Sequence, residues 1–249
     1  MDFLTLIVAL LSFGLSFVFA LGGVGSALVL IPVLTWLGIP FIQARPIGLF
    51  VNGVSMLGAT FSNIRQKRLD YRLGLPIILA SALLAPVGAL VGHQVSARAV
   101  LLVFIAFLFF SGMMILFFKG ASHSDRYRED LSLFGRLLVG VAAGFFSGLL
   151  GVGGGGVISP LLIIQGVHPK KVTTITAFAV PFSSFSAFLT YLAMGSVSWT
   201  ILAVAGLSAW CGGYLGTMVM HQRMRPGTVR RILGVVLLLL GLRLLFQLS

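Results

Sequence analysis

Apolar runs of membrane-spanning length alternate with short polar breaks along the whole 249-residue chain. Hydropathy places them at about 3–38, 46–64, 73–92, 99–118, 134–166, 172–193, 198–220 and 228–248. A hydrocarbon core of roughly 30 Å is crossed by about 20 apolar helical residues, so most of these blocks read as single spans. The first and fifth are too long for one span. Each is interrupted by glycine, at Gly22-Gly23-Val24-Gly25 and at Gly151-Val152-Gly153-Gly154-Gly155-Gly156. The alternation of a transmembrane β-strand is absent. The pattern predicts an all-α, polytopic integral membrane protein.

The two broken blocks repeat each other 128 residues apart without a gap. Gly23, Val24, Gly25, Val29, Pro32, Leu34 and Gly38 correspond to Gly151, Val152, Gly153, Val157, Pro160, Leu162 and Gly166. The register continues through Ser55 and Ser183, Gly88 and Gly216, and His93-Gln94 and His221-Gln222. The expected organisation is a first repeat over 1–118, a linker over 119–133 and a second repeat over 134–249. Internal duplication of this kind is common in secondary transporters, whose sites lie where the repeats meet.

Charge decides how the long blocks are threaded. If each were a single span, the 17 Lys and Arg would divide almost evenly between the two sides. If each returns to its starting side as a Gly-broken hairpin, only Arg45, Arg98 and Arg243 fall on one side and all the rest on the other. The second division matches the positive-inside bias. It puts both termini outside and the 119–133 linker in the cytoplasm of a bacterial inner membrane. Each repeat then makes an odd number of crossings, a hairpin plus three helices, and the two repeats are inverted. The net charge of +12 is accounted for by these loops and does not point to nucleic acid. With 9% charged residues, against about a quarter in soluble domains, the chain belongs in lipid.

Glycine-rich interruptions disfavour helix, at about 1 kcal/mol each relative to Ala, and unpaired backbone is tolerated only inside protein or along a wet cavity. Helix ends at Gly23, Gly25 and Ser26, and at Gly153, Gly154 and Gly155, would present N–H groups to an anion; close helix packing is the other reading. Pro32 and Pro160 are expected to break the returning half-helices. Polar side chains on the helices that follow, Asn52 and Ser55 in one copy and Thr173, Thr176, Ser183 and Ser184 in the other, are candidate ligands, and backbone-bonded hydroxyls are the alternative. Arg45 is expected at the outer mouth, either guiding an anion or snorkelling. Cys211, in an apolar run, reads as a small packing residue. Asp2, Asp70, Asp125, Glu129 and Asp130 all fall in loops or at the terminus, so a cation or a carboxylate proton relay lacks its usual partner. No nucleophile–base pair and no metal-ligand spacing occurs. A non-enzymatic protein without cofactor or metal is expected.

The segments LGGVGSALVLIPVL and LLGVGGGGVISPLLI, followed by GIPFIQARPIG and GVHPKKVTTIT, resemble the sulfite exporter TauE/SafE family along essentially the whole chain. The resemblance implies a permease for small sulfur-containing anions such as sulfite, sulfoacetate or other organosulfonates. The chain departs from the family's small-residue–Thr–Ser helix start in its first copy, which reads Ala44-Arg45-Pro46. The expected partners are a small anionic substrate and the lipid bilayer, with homo-oligomerisation left open. An anion channel and a non-transporting assembly protein are the competing classes.

Overall fold

The computed structural model describes residues 3–20, 25–117, 131–195, 199–223 and 226–248. Among the described residues there are ten helices and no strand: α1 (Phe3–Ala20), α2 (Ala27–Trp36), α3 (Phe41–Arg65), α4 (Tyr71–Gln94), α5 (Ala97–Phe117), α6 (Leu133–Leu150), α7 (Gly155–Ile164), α8 (Pro169–Met194), α9 (Trp199–Arg223) and α10 (Pro226–Leu248). Six helices, those beginning near Phe41, Tyr71, Ala97, Leu133, Lys170 and Ile201, are long and apolar enough to cross a bilayer. Their outward faces carry exposed Leu83, Phe110, Leu189 and Leu207, a surface suited to lipid rather than water. Cys211 lies on such a face and is exposed rather than packed.

The second long block is broken at its glycines, with α6 ending at Leu150 and α7 beginning at Gly155, and in the first block α2 begins after Gly25. The short helices α2 and α7, at 1.5 Å per residue, are about 15 Å long and cannot span a membrane. They end in the same way. Gly38 N–H donates to Thr35 O and Ile39 N–H to Leu34 O, while Gly166 N–H donates to Ile163 O and Val167 N–H to Leu162 O. This pairing, with glycine at positive φ (+89° and +87°), is the Schellman stop. Pro32 and Pro160 therefore do not end these helices. They sit mid-helix, each forfeiting one intrahelical hydrogen bond while the helix continues to its glycine. A second difference from the hydropathy pattern is that α3 starts at Phe41, so Arg45 and Pro46 lie within the helix.

Small residues set the packing. A methyl at Gly140, Gly144 or Gly148 of α6 would strike the carbonyls of Ile77, Ser81 and Ala85 of α4, in the same order along both helices. Hence α4 and α6 run parallel in close backbone contact. Gly212 and Gly216 of α9 meet the carbonyls of Phe13 and Phe17 of α1 in the same sense. Phe50 against Gly206 and Ser55 against Gly213 align α3 with α9. Phe178 against Gly74 and Ser186 Oγ donating to Ala82 O at 2.6 Å align α8 with α4. Two parallel trios result, α1–α3–α9 and α4–α6–α8. Helix α2 returns to the end of the bundle where α1 begins, since α3 starts there and runs with α1.

The trios meet along α3 and α8, which run in opposite directions. Arg45 faces Tyr191, Asn52 faces Ser184 and Thr60 faces Ala177. Helices α5 and α10 also pair in opposite senses, Leu108 near Gly241, Gly112 near Leu238 and Leu116 near Gly234. Contacts related by the 128-residue register also match: Gly88 abuts Phe145 O, and its equivalent Gly216 abuts Phe17 O.

Candidate functional site

The two helix breaks converge on one side chain. Gly25 (φ +90°) and Gly153 (φ +78°) hold left-handed backbone that costs other L-residues about 1–2 kcal/mol. A Cβ on Gly25 would collide with Asn52 Oδ1, and one on Gly153 with Asn52 Nδ2 and Ser184 Oγ. Asn52 is thus wedged between the glycines that lead into α2 and α7. Its Nδ2 donates to Ser184 Oγ at 3.3 Å, across the seam between the trios. Its Oδ1 is buried without a partner, as is Ser55 Oγ one turn further along α3. Ser183, beside Ser184, donates to Val180 O at 3.1 Å and reaches Gly153 O at 3.5 Å.

Neither α2 nor α7 has a side-chain cap at its N-terminus, where Ser26 and Gly154 stand. The first turn of a helix has N–H groups without intrahelical acceptors and about half a positive charge. Two such helix starts flank Asn52, whose buried amide oxygen has no hydrogen-bond partner. Nothing cationic but Arg45 lies on the same face of α3, seven residues and about 10 Å away.

Of the sequence candidates, Gly25, Asn52, Gly153, Gly154, Ser183 and Ser184 come together here, with Gly155 opening α7 beside them and Ser55 adjoining. Ser26 is buried next to them and accepts from Ser16 Oγ of α1 at 3.2 Å. Gly23 lies outside the described residues. Thr173 is not at the centre; its hydroxyl bonds back to Lys170 O at 2.9 Å, in the first turns of α8. Thr176 is occupied with Ser159 of α7 at 3.2 Å.

Arg45 departs most from expectation. Rather than standing at an exposed mouth, it is 2% exposed, because α3 begins one turn earlier and carries it into the seam. Its Nη1 donates to Gly92 O (3.2 Å), Leu149 O (3.3 Å) and Tyr191 OH (3.0 Å). Tyr191 OH in turn donates to Gly148 O at 2.9 Å. The rings of Phe41 and Tyr191 flank the guanidinium at 5.4 and 5.1 Å. Gly92 and Leu149 belong to the last turns of α4 and α6, whose carbonyl ends each carry about half a negative charge. Two helix termini take the place of a carboxylate. Tyr191 is the residue a sequence reading misses in this role, although a signal exists: it follows Ser184 by seven residues, as Arg45 precedes Asn52 by seven.

At the opposite end of the bundle Lys171 pairs with Asp70 at 2.7 Å, and Asp70 also caps α4 through Leu73 N–H. Burial would raise the Asp70 carboxyl, but the Lys171 ammonium and the Leu73 and Arg72 N–H groups outweigh it and hold the group below the usual carboxylate range.

A bundle of lipid-facing helices with two interrupted hairpins and a polar, acid-free centre defines a multi-pass membrane protein of the permease type. The chain matches the sulfite exporter TauE/SafE family over residues 8–244 and belongs to that family. It is 27% identical over 250 residues to the probable membrane transporter protein YunE of Bacillus subtilis, covering 90% of this chain and 91% of that one. A probable membrane transporter protein of Methanocaldococcus jannaschii is 27% identical over 244 residues, 91% of this chain and 90% of its own. A sulfite exporter TauE/SafE family protein 1 of Arabidopsis thaliana is 32% identical over 108 residues, 41% of this chain and 24% of its own.

Proposed function

We propose that this protein is a secondary transporter of a small anion, with Asn52, Ser184 and the first turns of α2 and α7 as its binding centre. The observation that carries this reading is the wedging of Asn52 between two uncapped helix starts. Backbone N–H groups select negative charge without a fixed basic side chain, and the unpaired oxygens of Asn52 and Ser55 accept from hydrated or protonated oxygens of the same ligand. The family name and this chemistry together favour a sulfur oxyanion, sulfite or an organosulfonate, as substrate.

The opposed directions of α3 and α8, and of α5 and α10, support two inverted repeats; the division of basic residues alone favours termini outside and a cytoplasmic linker. Alternating access then follows as rocking of the α1–α3–α9 trio against the α4–α6–α8 trio along their shared seam. Uptake of labelled sulfite and sulfoacetate into proteoliposomes, with acetate as the non-sulfur control, tests the assignment. Wild-type protein gives saturable uptake of the sulfur anions. Asn52→Leu, which keeps the branched outline but removes the amide, folds and loses that uptake. Equal uptake by wild type and Asn52→Leu would remove this centre from the mechanism.

A further inference from the structure

The hydrogen bonds of Arg45 leave one edge of it unused. All three depart from Nη1, whereas Nε is buried with no partner. On a guanidinium the Nε–H and the neighbouring Nη2–H form the planar fork that grips two oxygens of a carboxylate, sulfonate or sulfate. A donor on a charged group, buried and unpaired, costs about 1–3 kcal/mol or more. The closed seam therefore contains both a lock and a penalty on the same side chain.

The lock is placed where it controls motion. From α3 of one trio, Arg45 reaches α4, α6 and α8, all three helices of the other trio, at the end of the bundle where α3 begins. The equivalent position at the other end is Thr173, whose hydroxyl bonds within its own helix. Asn63, the equivalent of Tyr191, has an unpaired buried Oδ1 there. Among the described residues, only one end of the seam carries an arginine lock.

We propose that Arg45 is an oxyanion-operated latch: an oxyanion binding its Nε–Nη2 edge opens the seam at the end where α3 begins. A ligand shifts a two-state equilibrium toward the state that binds it better. With the trios closed, the Nε edge is packed away; with them parted, it accepts a planar pair of oxygens and the buried-donor penalty disappears. A planar oxyanion gives each N–H of the fork its own oxygen, whereas a halide accepts both in one bent, bifurcated contact, so the latch answers more strongly to oxyanions than to chloride. Tyr191 is the positioning residue. It accepts from Nη1 and donates to Gly148 O, and so holds the guanidinium on the α4 and α6 termini while the latch is shut.

The test uses methanesulfonate as the probe and the exposed Cys211 replaced by Ser. A cysteine at the buried Ala44 reports opening through its rate of reaction with a polar thiol reagent, in purified full-length protein. Methanesulfonate raises that rate several-fold over chloride at equal ionic strength. Arg45→Lys, which keeps the charge but not the fork, abolishes the response. Tyr191→Phe raises the rate in chloride about ten-fold, the equivalent of one hydrogen bond to a charged group. Identical rates in the two salts, an undiminished response in Arg45→Lys, or an unchanged chloride rate in Tyr191→Phe would each overturn the latch. Hydrogen exchange at the last turn of α4 in unaltered protein gives the same comparison should the Ala44→Cys or Arg45 variants misfold: faster exchange in methanesulfonate supports the latch and equal exchange refutes it. The inference rests on the permease reading but fails separately from it. Flux without an anion-dependent opening removes the latch alone, and opening without flux removes transport alone.

Discussion

Replacing Gly153 with alanine adds one methyl group, and its consequences separate backbone strain from damage to the centre. At φ +78° a non-glycine residue costs about 1–2 kcal/mol. The new Cβ would also fall against Asn52 Nδ2 and Ser184 Oγ, so Asn52 must move and its bond to Ser184 is lost, roughly another 1 kcal/mol. Gly38→Ala is the matched control. Its φ of +89° imposes the same backbone cost, but nothing lies within 4 Å of the added Cβ. Thermal unfolding in detergent and sulfite uptake into proteoliposomes, measured on both variants, make the comparison. Both are expected to unfold below wild type, Gly153→Ala further. Only Gly153→Ala is expected to lose uptake, by ten-fold or more. Loss of uptake in Gly38→Ala to the same degree, or wild-type uptake in Gly153→Ala, would refute the placement of the centre.

Gly144→Leu forces α6 away from the Ser81 carbonyl and prevents the α4–α6–α8 trio from closing; size-exclusion chromatography shows loss of the monodisperse folded species, where Gly14→Ala, with open space around it, leaves the profile unchanged. Asp70→Asn removes a pair whose side chains are about one-third exposed, 30% and 32%, and lowers stability by about 1 kcal/mol or less. Because the Asp70 carboxyl is held below its ordinary range in the folded protein, that contribution is complete above the unfolded value of about 3.9. It disappears as pH falls through the lower folded value. Unfolding curves of wild type and Asp70→Asn are expected to differ at neutral pH and converge in acid.

Much of the architecture was legible in the chain because the bilayer imposes it. Block length and the two glycine interruptions lead directly to the ten helices among the described residues, with α2 and α7 too short to span. The 128-residue register also anticipated the matched contacts of Gly88 and Gly216. The failures have local causes. Arg45-Pro46 reads as a loop because proline usually opens a helix, yet Pro46 forfeits a single bond near the start of α3. One added turn moved the arginine from a mouth into the seam. Pro32 and Pro160 read as stops, whereas the stops are the glycines that follow them. Hydroxyls on one helix are indistinguishable by type: Thr173 and Thr176 bond elsewhere, while Ser183 and Ser184 reach the break, and only the crossing of α3 and α8 decides between them. The pairing of Tyr191 with Arg45 depends on that crossing as well.

The account stands most directly on counterflow. Proteoliposomes loaded with unlabelled sulfite and diluted into a trace of labelled sulfite are expected to accumulate label transiently above its external concentration, because a centre that faces one side at a time carries label in on the return of each outward step. Label that only equilibrates, at a rate indifferent to the sulfite inside, would identify an open pore and contradict the rocking seam.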